Sequence, residues 1–274
     1  MTRRLFDRLG LARLIRLGVL SAIPPAWFEI AVLHLRGSFQ SRPMWTPLVA
    51  LPIVAAGGAI TGLDGDEARS RARFRPLSGL LLLVGAIGTL FHLRGVGRQM
   101  GGFGNWRFNM ETGPPFPAPA QLALFGAVGV LASGRPSTWP HSDREEDRRL
   151  VAGIRAANVA AYGLLAMEAG WEHRKGEFHN RAMFTPVTLG PALMAVHTAA
   201  AAGVRPARAV EGPLSALAVG AGLVGFGFHV RNVLRRRGGL SLQNLFYGPP
   251  TVAPLSLTGQ GLLGVLAALF DRRR

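Results

Sequence analysis

Residues 29–47 read EIAVLHLRGSFQSRPMWTP, and residues 168–186 read EAGWEHRKGEFHNRAMFTP. The two stretches align without a gap at an offset of 139 residues. Their shared residues are Glu29 and Glu168, His34 and His173, Gly37 and Gly176, Phe39 and Phe178, Arg42 and Arg181, Met44 and Met183, Thr46 and Thr185, and Pro47 and Pro186. Self-similarity on this scale predicts that the chain contains an internal repeat.

The similarity continues through the rest of both halves. At an offset of 137, Phe91-His92-x-Arg94 matches Phe228-His229-x-Arg231. At an offset of 135, Asn109-x3-Gly113-Pro114-Pro115 matches Asn244-x3-Gly248-Pro249-Pro250. The sequence therefore predicts a first repeat at 1–140, a linker at 141–149 and a second repeat at 150–274.

The composition indicates a membrane protein. Of 274 residues, 17% are charged and 49% are hydrophobic, whereas a soluble domain has about 25% charged residues. The apolar residues form eight blocks that approach or reach the length needed to cross a bilayer core of about 30 Å. These blocks are 17–35, 45–63, 77–93, 119–133, 156–171, 184–203, 214–230 and 252–270. We therefore predict an all-α integral membrane protein of about eight transmembrane helices, built by tandem duplication of a four-helix unit.

The even number of spans in each unit fixes the predicted topology. Both halves must have the same orientation and be related by an axis near the membrane normal. The face with the termini carries 19 of the 31 basic residues. Basic loops favour the inner side of a membrane, so we predict a multi-pass protein of the cell membrane with both termini in the cytoplasm.

Charge and cysteine content exclude several classes of function. The net charge is +16, but the arginines lie in short loops between apolar blocks. This pattern favours binding to an anionic lipid surface and not to nucleic acid. The chain has no Cys, which excludes disulfides, thiolate zinc sites, iron–sulfur clusters and covalently attached haem.

Each half has one carboxylate and two imidazoles that are candidates for a site. Glu29 and Glu168 lie inside apolar blocks, where an ionisable side chain is costly and normally has a function. His34 and His92 end the first and third spans of the first half, so both lie at the same membrane face. His173 and His229 occupy the same positions in the second half. We expect each set to converge at the extracytoplasmic end of its four-helix unit.

Paired imidazoles suit two kinds of cofactor. Two imidazoles on facing helices can be the axial ligands of a b-type haem, and imidazole with carboxylate can bind a transition metal ion. We expect Glu29 and Glu168 to accept the second N–H of an imidazole and orient it. Arg36, Arg94 and Arg231 are candidates for pairing with haem propionates. The alternative is a set of interfacial histidines that bond to backbone carbonyls or carboxylates and bind no ligand.

The connectors 95–118 and 232–251 are rich in glycine and aromatic residues and lie on the same face as the histidines. Long loops of this kind are often functional. We expect Asn109 and Asn244 to belong to a lid or to a surface that docks a partner protein. The alternative is an aromatic belt at the level of the lipid headgroups.

Three functions are compatible with this pattern. The favoured one is a membrane subunit that holds haem or metal and passes electrons to or from a partner. The others are a transporter or channel with two pseudo-symmetric halves and a path past Glu29 and Glu168, and a cofactor-free anchor or assembly protein. No nucleophile paired with a base and no phosphate loop occurs, so no enzyme class is predicted. His197 matches Gly58 in the first half, and we expect it to be a buried, hydrogen-bonded residue.

Overall fold

The computed structural model describes residues 2–62, 66–134 and 144–271. Its α-helices are α1 (Thr2–Arg36), α2 (Thr46–Gly62), α3 (Glu67–Gly97), α4 (Trp106–Thr112), α5 (Pro117–Leu131), α6 (Arg144–Lys175), α7 (Thr185–Ala201), α8 (Arg205–Leu234), α9 (Leu242–Tyr247) and α10 (Leu255–Asp271). Short 3-10 helices occupy Arg42–Trp45, Gly102–Asn105 and Arg181–Phe184. Over the described residues the protein is helical and has no strand, which confirms the predicted all-α class. Residues 141–143 of the predicted linker lie outside the described residues, and α6 begins inside that linker.

Several helices are long and apolar enough to cross a membrane. Within the described part of the chain there are five, at 10–36, 42–61, 67–97, 145–175 and 205–234. α4 and α5 are bent by 82° relative to each other and would give a sixth span if counted as one broken helix. α10 is apolar but shorter. The length and composition of these helices are those of a multi-pass membrane protein.

The elements occur in the same order in both halves. A long helix is followed by a 3-10 turn, a 17-residue helix, a second long helix, a short helix and a final apolar helix. The ends of α1 and α6 with the histidines therefore lie at one face, which we call the histidine face. The start of α1 and the end of α10 lie at the opposite face, which we call the terminal face.

The turns after α1 and α6 share an uncommon backbone conformation. Ser38 and Phe39 have φ of 54° and 47°, and Glu177 and Phe178 have φ of 55° and 47°. A non-glycine residue with positive φ is uncommon, and here two consecutive residues adopt it at the same place in each half. Phe39 stacks on Trp45 with ring centroids 4.2 Å apart, and the matching phenylalanine in the second half does the same with Phe184 at 4.5 Å.

The closest helix packing depends on glycine. α3 packs along α5, and α8 packs along α10, more extensively than any other helix pair. A Cβ at Gly85 of α3 would lie 2.3 Å from the backbone nitrogen of Ala123, and one at Gly222 of α8 would lie 2.7 Å from that of Thr258. Glycine allows close helix approach in membranes because no side chain separates the backbones. The two halves meet where α5 packs against α6, and where α1 packs against α10.

Candidate functional site

The predicted histidine pairs come together in both halves. The ring centroids of His34 and His92 are 6.5 Å apart, and those of His173 and His229 are also 6.5 Å apart. All four rings are partly buried. The structure thus forms two equivalent imidazole pairs at the histidine face.

Each imidazole is held through its Nδ1 atom. The bonds are His34 to the carbonyl of Met44 at 2.7 Å, His173 to that of Met183 at 2.6 Å, His92 to that of Pro115 at 3.0 Å, and His229 to that of Pro250 at 2.6 Å. A carbonyl only accepts, so each Nδ1 carries the hydrogen. In the neutral ring Nε2 then keeps its lone pair. A fixed ring with a free Nε2 is the arrangement found in histidines that bind metals.

The carboxylates do not orient these imidazoles, so that prediction was wrong. Glu29 Oε2 accepts from the backbone nitrogen of Val252 at 3.1 Å, and Glu168 Oε2 accepts from Gln121 Nε2 at 3.4 Å. Each carboxylate reaches across to the last helix of the other half or to the segment before it. Backbone carbonyls take the orienting role because the loops place them directly beside the rings.

Glu29 and Glu168 have different hydrogen-bond donors because a proline replaces the donor residue in one half. At the offset of 135, the residue that matches Val252 is Pro117, and proline has no backbone N–H. Glu168 cannot form the bond that Glu29 forms, and the side chain of Gln121 supplies a donor instead.

A metal ion site with mixed imidazole and carboxylate ligands is not formed. Over the described residues, no group of three or more His, Asp and Glu side chains is placed to hold an ion. The two-imidazole arrangement is therefore what remains of the predicted cofactor site.

The arginines near the pairs have different environments. Arg36 donates through Nη2 to the carbonyls of Leu245 at 2.8 Å and Gly248 at 2.9 Å, so it ties α1 to the connector of the other half. Arg94 and Arg231 are exposed, and neither forms an ion pair with a described residue. These two remain available to an anionic group near the imidazoles.

Asn109 and Asn244 are buried, so neither side chain is part of an exposed docking surface. Their exposed fractions are 1% and 7%. Asn109 Nδ2 donates to the carbonyls of Met100 and Gly102, and Asn244 Nδ2 donates to those of Arg237 and Gly239. Both therefore hold their own connector closed. The exposed surface of the first connector comes from residues such as Trp106 and Phe108.

Protein families, curated proteins and solved structures give no match to this chain. The side chains of this chain are therefore the basis for any function proposed for it. Besides the imidazole pairs, the described residues contain a second polar arrangement that sequence reasoning missed.

This arrangement lies inside the second half and is centred on Arg155. Arg155 donates to Glu211 through Nε at 2.7 Å and through Nη2 at 2.6 Å. Its Nη2 also donates to Asp271 Oδ2 at 2.8 Å. Arg155 is 3% exposed and Glu211 is 0% exposed. A buried ion pair of this kind requires good geometry, because both charges lose their hydration.

His197 continues the arrangement. Its Nδ1 lies 3.0 Å from Glu211 Oε1, and its Nε2 lies 3.3 Å from Asn158 Nδ2. Asn158 Nδ2 also donates to the backbone carbonyl of Gln260. Because Asn158 donates to Nε2, the hydrogen of the imidazole is on Nδ1 and the ring is neutral. His197 is thus a buried, hydrogen-bonded residue, as the sequence predicted.

Three polar atoms beside His197 are buried and unpaired. They are Tyr162 Oη, Ser215 Oγ and Gln260 Oε1. The Tyr162 ring stacks on the imidazole with centroids 5.7 Å apart. A Cβ at Gly264 would lie 2.4 Å from Ser215 Oγ and 3.0 Å from His197 Cε1, so Gly264 of α10 brings these two side chains against one helix. We call Arg155, Asn158, Tyr162, His197, Glu211, Ser215, Gln260 and Asp271 the second-half polar cluster.

The first half has apolar residues at most of the same places. By the repeat offsets, Val19, Ile23, Gly58, Phe74 and Phe125 match Asn158, Tyr162, His197, Glu211 and Gln260. Only Arg16 and Ser78 match polar members of the cluster, Arg155 and Ser215. The helix arrangement therefore does not require the polar residues. Comparing the halves position by position is the sequence signal that would have found the cluster.

Proposed function

We propose that this protein is a multi-pass membrane subunit in which each half holds one b-type haem between its two paired imidazoles. The observation that carries the proposal is the pair of identical imidazole arrangements, His34 with His92 and His173 with His229. In both, Nδ1 is bonded to a carbonyl, and Nε2 forms no hydrogen bond with a described residue.

The spacing of the rings supports axial ligation. A metal–nitrogen bond of about 2.0 Å on each side of one ion would put two imidazole centroids about 6 Å apart. The centroids in both pairs are 6.5 Å apart. The exposed Arg94 and Arg231 lie two residues beyond His92 and His229, where they can pair with propionates.

We further propose that the chain is a tandem duplication with eight spans and parallel halves. The repeated order of elements and the matching positive φ values after α1 and α6 support this. Basic residues at the terminal face favour both termini in the cytoplasm. The imidazole pairs then lie near the extracytoplasmic surface.

Electron transfer is the function that such a site supports best. A bound haem would supply one-electron chemistry, while the protein fixes its axial ligands and limits its exposure to water. The two sites lie at one face, where the exposed Trp106 and Phe108 of the first connector can contact a partner protein. We propose that electrons pass between a membrane quinone and that partner.

Absorbance and metal content of the detergent-purified protein test the proposal. Wild type should show a Soret band, with iron at two equivalents per chain. His92→Ala and His229→Ala should each lose one equivalent, and the double variant should lose both. His179→Ala is the matched control, because His179 is exposed and bonds only the carbonyl of Gly176. A folded wild-type protein that is colourless and free of iron after expression with added haem would overturn the proposal.

A further inference from the structure

The second-half polar cluster, extended by Gln121 and Glu168, forms a nearly continuous chain of polar groups across much of the membrane. From Arg155 to Glu168 on α6, the helix rises about 20 Å, against a bilayer core of about 30 Å. At the terminal face, Asp271 also contacts Arg208, whose side chain is 40% exposed. At the other end, Gln260 donates to Gln121 at 2.9 Å, and Gln121 donates to Glu168 at 3.4 Å.

One interruption in this chain of described residues lies at Gln260, whose Oε1 atom is unpaired. Asn158 bonds the backbone carbonyl of Gln260, whereas the chain continues from the side chain of Gln260. Gln260 Oε1, Tyr162 Oη and Ser215 Oγ have no partner, although these residues are at most 1% exposed. Buried polar atoms without a protein partner normally bind internal water. Water bound here would join the two parts of the chain.

We propose that the second-half polar cluster is a path that conducts protons, through His197 and bound water, between Glu168 and the terminal face. Chains of Asp, Glu and His inside membranes are the usual form of proton relays. The path lies in the second half except for Gln121 of α5, and it includes none of the paired imidazoles at the histidine face.

The hydrogen bonds of His197 define the transfer step. Glu168 passes a proton to the bound water, and this water gives a proton to Nε2 after the Asn158 amide turns away from the ring. The Nδ1 proton then moves to Glu211 Oε1, 3.0 Å away. Glu211, which is itself buried, then gives that proton to water that leads past Asp271 to the terminal face. The imidazole is neutral again with its hydrogen on Nε2, and exchange of this hydrogen back to Nδ1 completes the cycle. One proton enters and one leaves, so the cluster keeps its balance of charge.

The charged groups around His197 favour such a relay. Arg155 and Arg208 face Glu211 and Asp271 within the cluster, so their formal charges cancel when His197 is neutral. A passing proton therefore adds one charge next to a carboxylate. The first half has the same helices but Val19, Ile23 and Gly58 in place of Asn158, Tyr162 and His197, and it contains no equivalent path among its described residues.

The test is proton flux into liposomes that contain the purified protein and a trapped pH-sensitive dye. A potassium gradient with valinomycin supplies the driving potential, and no electron donor or quinone is added. We expect wild-type vesicles to acidify faster than protein-free vesicles. His197→Gln, which cannot carry a proton, should lose this flux. Tyr162→Phe should reduce it about two- to tenfold, the value of one hydrogen bond.

The repeat provides a matched control. Ser78 and Ser215 occupy equivalent positions, and each has a buried, unpaired hydroxyl. Ser215→Ala should lower the flux, whereas Ser78→Ala should leave it unchanged. Wild-type flux at the protein-free rate would overturn the proposal. So would a wild-type rate in folded His197→Gln or, should that variant not fold, in folded Tyr162→Phe and Ser215→Ala.

Discussion

Replacing Arg155 by leucine should destabilise the protein far more than the equivalent change of Arg16. Arg155 is the main partner of Glu211, and both side chains are almost fully buried. Removing one member of a buried ion pair costs about 3–5 kcal/mol, because the remaining charge is left unpaired. After the change, Glu211 keeps only His197, and Asp271 keeps the more distant Arg208 at 3.4 Å.

Arg16 is also buried, but its partner Glu67 would keep other hydrogen-bond partners if Arg16 were replaced. Glu67 is 34% exposed and remains bonded to Arg71 at 2.8 Å. Water and Arg71 can therefore satisfy this carboxylate, and we expect Arg16→Leu to cost about 1–2 kcal/mol.

Thermal unfolding in detergent, followed by tryptophan fluorescence, measures the difference. At about 2–4 °C per kcal/mol for a chain of this size, Arg155→Leu should lower the melting temperature by about 2–16 °C more than Arg16→Leu. Adding Glu211→Phe, the residue of the first half, should recover part of the loss. Equal decreases in melting temperature for Arg155→Leu and Arg16→Leu would refute the reasoning. The loss of stability would then not depend on how deeply the carboxylate partner is buried.

Three further changes test the fold and its orientation. Gly85→Ala should destabilise the α3–α5 contact by about 1–3 kcal/mol, because the added methyl group overpacks it. Gly79 has open space around it, so Gly79→Ala should be neutral or stabilise α3 by up to about 1 kcal/mol. Chemical denaturation measures the free energy of unfolding of both variants. Asn109→Ala should open its connector, which limited proteolysis would detect as faster cleavage within 95–118. In the cysteine-free chain, Gln40→Cys and His179→Cys should react with a membrane-impermeant maleimide from the same side, and labelling from opposite sides would exclude parallel halves.

Much of the fold could be predicted because its signals are local. Apolar length predicted an all-helical chain with several membrane-length helices, of which the described residues contain five or six, while the tandem duplication stays a prediction. The pairing of His34 with His92 was also predictable, since alternate helices point the same way across a membrane. Which backbone carbonyl bonds each ring was not predictable, because it depends on the conformation of the connecting loops. For His34 that conformation includes the positive φ of Ser38 and Phe39, which serine and phenylalanine rarely adopt.

The remaining errors came from contacts between distant segments. Glu29 meets Val252, 223 residues away, and the helix periodicity of α1 contains nothing that specifies this partner. Asn109 resembled a surface residue because it lies among glycines and aromatics, but its amide satisfies carbonyls of its own loop. The second-half polar cluster needs four helices to assemble, so its members appeared in the sequence as isolated polar residues.

The bond between Glu29 and Val252 also has a consequence for biosynthesis. α1 leaves the ribosome before α10, because the backbone group that its carboxylate needs is made 223 residues later. At about 5–20 residues per second, this interval is about 10–45 s. During that time the membrane insertion machinery must shelter the glutamate or keep it hydrated. We therefore expect α1 to settle into its final position only after the last helix has been inserted.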